Sequence, residues 1–409
     1  MDRVSNTVNQ KIYAVLLSVV LVFSIASFIV NYLMINEVRE ILLKQELALS
    51  KVQANVSGLQ EVVSLVSGRT EELGNLVRSL QLRYEELSEE LKKVKYPLVI
   101  SDSIGRTVFI NYEPSRVVSV GPSLTETLFA LGLGDRVVGV DRFSNYPPVL
   151  NELVKEGSVK VVGDAFALNV ELIASLKPDV VFLTYSAQIE KYVKTLSDLG
   201  ICVYVVKVED FGDVYNAVMS LGMMMNRVDA ALKLLNNITN SVAETYSRVS
   251  NYLNSTGATR VTVYWEVFPD YWTLGGNTFQ NSLIVYAGGE NIFGNTSLAW
   301  FMATPESVID LNPSVILVDY SYGMFGTPQD LIERIASRPG WSNITAVREG
   351  KIYVLGGMIE DIVVRPGPRL GLAVEILARI LYPGAYNITQ VPNYIDENVV
   401  SGWGVALSS

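Results

Sequence analysis

The chain has 409 residues, room for two or three folding units, and its 49% hydrophobic and 18% charged residues exclude a disordered chain. With 42 acids against 32 bases the net charge is −10, which argues against a broad nucleic-acid surface. Histidine is absent and Cys202 is the one cysteine, so histidine-dependent catalysis, His-ligated zinc, an internal disulfide and a cysteine metal cluster are excluded. Cys202 lies in an apolar run, 201–206, and reads as a buried small hydrophobe.

The first predicted element is a transmembrane anchor, residues 1–35. Its core, Ile12 to Ile35, carries no charge. As a helix it spans about 36 Å, against a bilayer core of about 30 Å. Arg3 and Lys11 precede it, which places the amino terminus in the cytoplasm and the rest outside: a single-pass cell-membrane protein with an extracytoplasmic body. A cleaved signal peptide is the competing reading, because Ser24-Ile25-Ala26 resembles a cleavage site. Residues 36–96 favour retention. Val38, Leu42, Gln45 and Leu49 open a 4-3 spacing that continues through Leu87, Leu91 and Val94, the seam of a coiled-coil stalk roughly 85 Å long. Such a seam implies a homo-oligomer; Gly58, Gly68 and Gly74 weaken it. One amphipathic helix lying on its own globular domain is the alternative. Pro97 ends the segment.

From Leu98 the pattern becomes short apolar runs alternating with helical stretches, an α/β signature. Segments 98–101 and 107–110 flank Gly105 and read as a hairpin. Strands follow at 116–120, 137–140, 179–183 and 202–206. Ser123 and Glu126 have capping-box spacing at the start of a helix. Residues 213–253 hold no proline and read most simply as one long connecting helix, with a break near Gly222 as the alternative. A second series has strands at 260–265, 314–318 and 351–355 and a last helix from about Pro368 to Leu381. The stretch from Val170 to Tyr185 echoes the stretch from Pro305 to Tyr320 without a gap: Glu171/Glu306, Leu176/Leu311, Pro178/Pro313, Val180/Val315 and Tyr185/Tyr320 coincide. The expected architecture is two similar α/β lobes joined by a long helix: an N-terminal lobe at 97–212, the helix at 213–253, a C-terminal lobe at 254–383 and a polar tail at 384–409. A cleft between lobes is a usual place for a small ligand.

The chain resembles the substrate-binding proteins of cobalamin and iron–siderophore ABC importers, a class with two lobes joined by one long helix. The resemblance rests on residues 116–140, Tyr146-Pro147-Pro148, residues 171–181, residues 288–293 and Arg365-Pro366-Gly367-Pro368-Arg369, and it covers about 98–382. It implies capture of cobalamin, a ferric siderophore, haem or a related chelate, and delivery to an ABC permease, with no catalysis, no resident cofactor or metal and no nucleic-acid partner. It implies that Glu171 and Glu306 dock on the permease. A first-turn acid favoured by the helix dipole accounts for the same two residues. It also implies ligand contacts from Phe143, Trp272 and Trp300, whose flat faces suit a large ligand. Where cobalamin-binding relatives carry a tryptophan this chain has Ala165, with Phe166 beside it. Ser123 offers a hydroxyl at the turn after the first strand. Arg365 and Arg369 either reach a ligand carboxylate or phosphate or anchor the final helix, and Arg365 is the better ligand candidate.

Sequons at Asn55, Asn237, Asn254, Asn295, Asn343 and Asn387 would all lie outside the membrane and suit a glycoprotein. No phosphate-binding glycine loop and no nucleophile elbow is present, which argues against an enzyme. The alternative function is a surface structural or adhesion protein that keeps a binding fold on an oligomeric stalk.

Overall fold

A computed structural model of the chain describes residues 96–407 apart from 321–323 and 325, all within one unit. The anchor, nearly all of the stalk and the Asn55 sequon lie outside the described residues. Among the described residues no helix is long and apolar enough to cross a membrane.

The hairpin is present: β1 (Leu98–Ser101) pairs antiparallel with β2 (Thr107–Ile110). Alternation puts Val108 and Ile110 inside and Phe109 outside. The N-terminal lobe then runs β3 (Val117–Val120), α1 (Pro122–Ala130), β4 (Val137–Val140), α2 (Pro148–Lys155), β5 (Lys160–Val161), β6 (Gly163–Asp164), β7 (Ala167–Leu168), α3 (Val170–Ser175), β8 (Val180–Thr184), α4 (Ile189–Asp198) and β9 (Val203–Val206). Its sheet has the order β5-β4-β3-β8-β9, parallel throughout. Strands β3, β8 and β9 are buried on both faces, which is why they read as unbroken apolar runs. The hairpin leans on the β9 edge: Ser103 N–H donates to the Val205 carbonyl at 3.0 Å and Arg106 Nη2 to the Val203 carbonyl at 3.0 Å. Cys202, expected to be buried, is half-buried, with Sγ 3.8 Å from the Phe109 carbonyl. Burial still pushes its thiol pKa up.

The single connecting helix is corrected to two, α5 (Phe211–Met224) and α6 (Val228–Thr256). The chain turns at Asn226, which takes a φ of 54°. The two helices cross so closely at Gly222 that a Cβ there would fall 2.5 Å from the Ala231 Cβ. A backbone with no side chain is what permits the approach. Helix α6 is amphipathic: Val228, Ala231, Leu235, Ile238, Val242, Thr245 and Val249 face inward at three-to-four spacing. It ends at Gly257 in the left-handed region.

The C-terminal lobe runs β10 (Thr262–Phe268), β11 (Trp272–Leu274), α7 (Phe279–Tyr286), β12 (Glu290–Asn291), β13 (Trp300–Met302), α8 (Pro305–Leu311), β14 (Val315–Asp319), α9 (Pro328–Ala336), α10 (Thr345–Arg348), β15 (Ile352–Leu355), α11 (Gly357–Val364), α12 (Leu370–Leu381), β16 (Tyr394–Ile395) and α13 (Glu397–Gly402). The sheet order is β13-β11-β10-β14-β15-β16, with β12 also on β10; the pairings of β11 with β10 and with β13 are antiparallel and the others parallel. The expected separate tail is part of this lobe. Strand β16 adds to β15, and Arg379 Nη1 donates to the Trp403 carbonyl at 3.1 Å.

One apolar core runs through both lobes. It joins Leu128 and Phe182 on one side to Val263 and Leu317 on the other through the inner faces of α6 and α12. Each sheet also has an outer core of its own, around Ile173 and Leu196 and around Ile316 and Trp341. The internal echo is structural as well. Asn169 and Thr304 cap α3 and α8, and Lys177 and Asn312 take φ of 48° and 42° at matching turns.

Candidate functional site

Ligands of open parallel sheets bind beyond the carboxyl ends of the strands. In the N-terminal lobe two buried aspartates shape those ends. Asp141, just after β4, accepts from the Gly121 N–H at 2.8 Å and the Phe143 N–H at 2.8 Å. Ser144 Oγ donates to it at 2.6 Å. Asp164, ending β6, accepts from the Phe166 N–H at 2.8 Å and pairs with Arg142 at 2.7 Å. Each aspartate closes a local turn with its own following backbone. Each turn pushes a phenylalanine outward: Phe143 is exposed and Phe166 is 62% exposed. The Arg142 guanidinium lies 4.8 Å over the Phe143 ring. Tyr185, after β8, is a further exposed ring.

The C-terminal lobe presents its apolar surface on the antiparallel strands. Phe268 pairs with Trp272, and Trp272 with Met302. Directly paired residues share a face, and Trp300 lies two along from Met302, so all four side chains share one side. All are exposed, Trp272 by 39%. Beneath them the flap is braced by buried polar contacts. Arg338 makes two 2.7 Å bonds to Glu266 and stacks on Tyr271 and Trp341 at 4.2 and 4.6 Å. Thr273 Oγ1 donates to the Trp265 carbonyl at 2.7 Å. Nearby, Asp319 at the end of β14 accepts from Trp265 Nε1 at 2.8 Å, and burial raises its carboxyl well above the usual range.

Between the rims the lobes are joined by ions. Glu126, from α1, is 2% exposed. Arg369 donates to it from Nε at 2.8 Å and from Nη2 at 2.6 Å, and Arg365 Nη1 donates to it at 3.0 Å. Arg365 further reaches Asn145 Oδ1 at 2.7 Å, the Phe143 carbonyl at 3.1 Å and Asp361 at 2.7 Å. Asn145 Nδ2 donates back to Asp361 at 3.0 Å. Removing one partner of such a buried set leaves an uncompensated charge, at a cost of about 3–5 kcal/mol. The capping-box reading of Ser123 and Glu126 is thereby corrected. The N-cap of α1 is Gly121, with Pro122 at the first position and no side-chain cap. Ser123 stands against the Arg365–Arg369 turn, where a Cβ on Gly367 would lie 3.4 Å from its own. Arg365, taken from sequence as a ligand contact, is 7% exposed and engaged on every side by protein groups.

The structure thus brings Ser123, Phe143 and Arg365 together at the seam. Phe166 stands on the rim of the N-terminal lobe, and Trp272 and Trp300 on that of the C-terminal lobe. Glu171 and Glu306 are exposed in the first turns of α3 and α8, the helices that leave the two rims. Sequence reasoning missed Tyr185, Phe268 and Met302. It also missed a signal that was present: Asp141-Arg142-Phe143 and Asp164-Ala165-Phe166 repeat one acid–any–Phe pattern after a strand. A cavity of about 450 Å³ is lined by N-terminal-lobe residues, and one of about 470 Å³ by residues of that lobe and of α5. Neither is lined by a residue of the C-terminal lobe, whereas the aromatic groups stand on both lobes, so the rims are the better site.

Paired α/β sheets on a shared helical core, with exposed aromatic groups at the strand ends of both, define a two-lobed solute-binding protein. The chain belongs to the periplasmic binding protein family, whose profile matches residues 117–357. It is 31% identical over 296 residues to the ABC transporter substrate-binding lipoprotein YvrC of Bacillus subtilis, covering 71% of this chain and 87% of that one. It is 26% identical over 291 residues to a cobalamin-binding protein of Halobacterium salinarum, covering 70% and 73%. Among solved structures, a possible iron-binding periplasmic protein of Staphylococcus epidermidis is similar at 30% identity and a TM-score of 0.56, covering 66% of this chain and 99% of that one. These relatives are binding proteins.

Proposed function

We propose that the protein is a membrane-tethered, extracytoplasmic receptor that captures a cobalamin, ferric siderophore or related chelate between its lobes and delivers it to an ABC permease. The observation that carries this reading is the pair of exposed aromatic rims at the carboxyl ends of the two sheets. Phe143, Phe166 and Tyr185 stand on one rim, and Phe268, Trp272 and Trp300 on the other. Rings held out in water by buried hydrogen bonds gain most when a large flat ligand covers them. The apolar run 12–35 is the tether, the 36–96 heptads hold copies together, and the exposed Glu171 and Glu306 register the lobes on the permease. The likeness to a substrate-binding lipoprotein supports the extracytoplasmic, membrane-associated placement.

The test is direct. Full-length protein in detergent, mixed with cyanocobalamin, ferric siderophores or haem, is expected to carry visible absorbance through gel filtration. Passage without colour in every case would refute capture of a chelate.

A further inference from the structure

The cations around the rims bear on which ligands the cleft admits. Arg365 donates to the Phe143 carbonyl, Gly367 between Arg365 and Arg369 stands against Ser123, and both arginines close on Glu126. With Asp361 the seam sets two guanidinium charges against two carboxylates. Arg369 Nη1 has no hydrogen-bond partner, yet its guanidinium is covered by the Tyr146 ring at 4.2 Å. Around the rims the pattern repeats. Arg142 pairs with Asp164 at 2.7 Å, Lys207 with Glu209 at 2.8 Å and Arg334 with Asp270 at 2.7 Å. An anion entering such a cleft loses water and meets cations that each already face a carboxylate, whereas an amide-rich or apolar ligand loses far less.

We infer that the cleft takes large ligands without net negative charge, and that Glu126 sets this preference by holding both guanidiniums away from the ligand. The inference rests on the chelate-binding reading above and narrows it. Glu126 is a positioning residue: it touches arginines, and its effect on the ligand is through them.

The experiment uses a charge series on one scaffold. Full-length protein in detergent is titrated with cyanocobalamin and with its mono- and dicarboxylates, made by hydrolysing peripheral amides. A neutral ferric trihydroxamate, an anionic ferric tricatecholate and haem complete the panel. The native chain is expected to bind the neutral members and to lose about tenfold in affinity per added carboxylate. In Glu126→Gln, which keeps the shape and removes the charge, that loss per carboxylate should shrink. A purely structural defect would instead weaken all members by one common factor, and that result would overturn the role of Glu126. If Glu126→Gln does not fold, as read by circular dichroism, the native charge series decides alone. Equal or tighter binding of the anionic members by the native chain overturns the inference while leaving chelate binding standing. No binding by any member overturns both.

Discussion

At the scale of single residues, the same side-chain types do opposite work according to burial. Trp265 is buried and donates to Asp319, whereas Trp272 and Trp300 are held exposed on a braced flap. Trp272→Ala and Trp300→Ala should each weaken ligand binding by about tenfold or more, as expected of aromatic anchors, with little change in melting temperature. Calorimetric titration beside a melting curve checks both. Asp319 gives a pH prediction. Its folded pKa is raised by burial, so above the ordinary carboxylate range the unfolded chain has lost a proton that the folded chain keeps. Stability therefore falls as pH rises through that window. Asp319→Asn, which still accepts from Trp265, should melt higher than the native protein at pH 8, with the margin shrinking toward pH 4. A constant margin across that range would remove the carboxyl as its cause. Residue types were legible in the sequence where a local pattern carried them. Phe143, Trp272 and Trp300 came from a resemblance. Glu126 was misread because an acid three residues after a serine looks the same whether it caps a helix or crosses to another lobe.

At the scale of elements, the buried parallel strands were legible because strands covered on both faces must be continuously apolar, and β4 at 137–140 matches to the residue. The break between α5 and α6 was not, because the turn at Asn226 carries no proline and the two helices on either side of it pack on each other at Gly222 and Ala231. Gly222 was the one local hint. Gly222→Val should push the crossing helices apart and cost about 1–3 kcal/mol, read as a lower denaturant midpoint with an unchanged slope. Strand β16 was illegible because two residues carry no period. Their pairing is fixed by Val354↔Tyr394 and Leu355↔Ile395, about forty positions apart.

At the scale of the whole molecule, the repeated helix–turn–strand unit was legible from its matching residues. It puts Glu171 and Glu306 at equivalent first-turn positions of α3 and α8. Replacing both by lysine should abolish uptake in cells while leaving ligand affinity in solution unchanged, because neither side chain belongs to the rims or the seam. Uptake at the native rate in that double variant would dismiss the docking role. Beneath the two sheets, α6 and α12 line a single apolar interior, and the stacked rings of Phe211 and Tyr286 at 4.7 Å cross between the halves. Such a body has no natural cutting line. A fragment that stops after residue 210 would expose the inner flank of its sheet to water, and so would the complementary fragment. Trading one half for another would therefore strip both sheets of their inner cover, whereas the exposed rings on the rims can change without touching that interior.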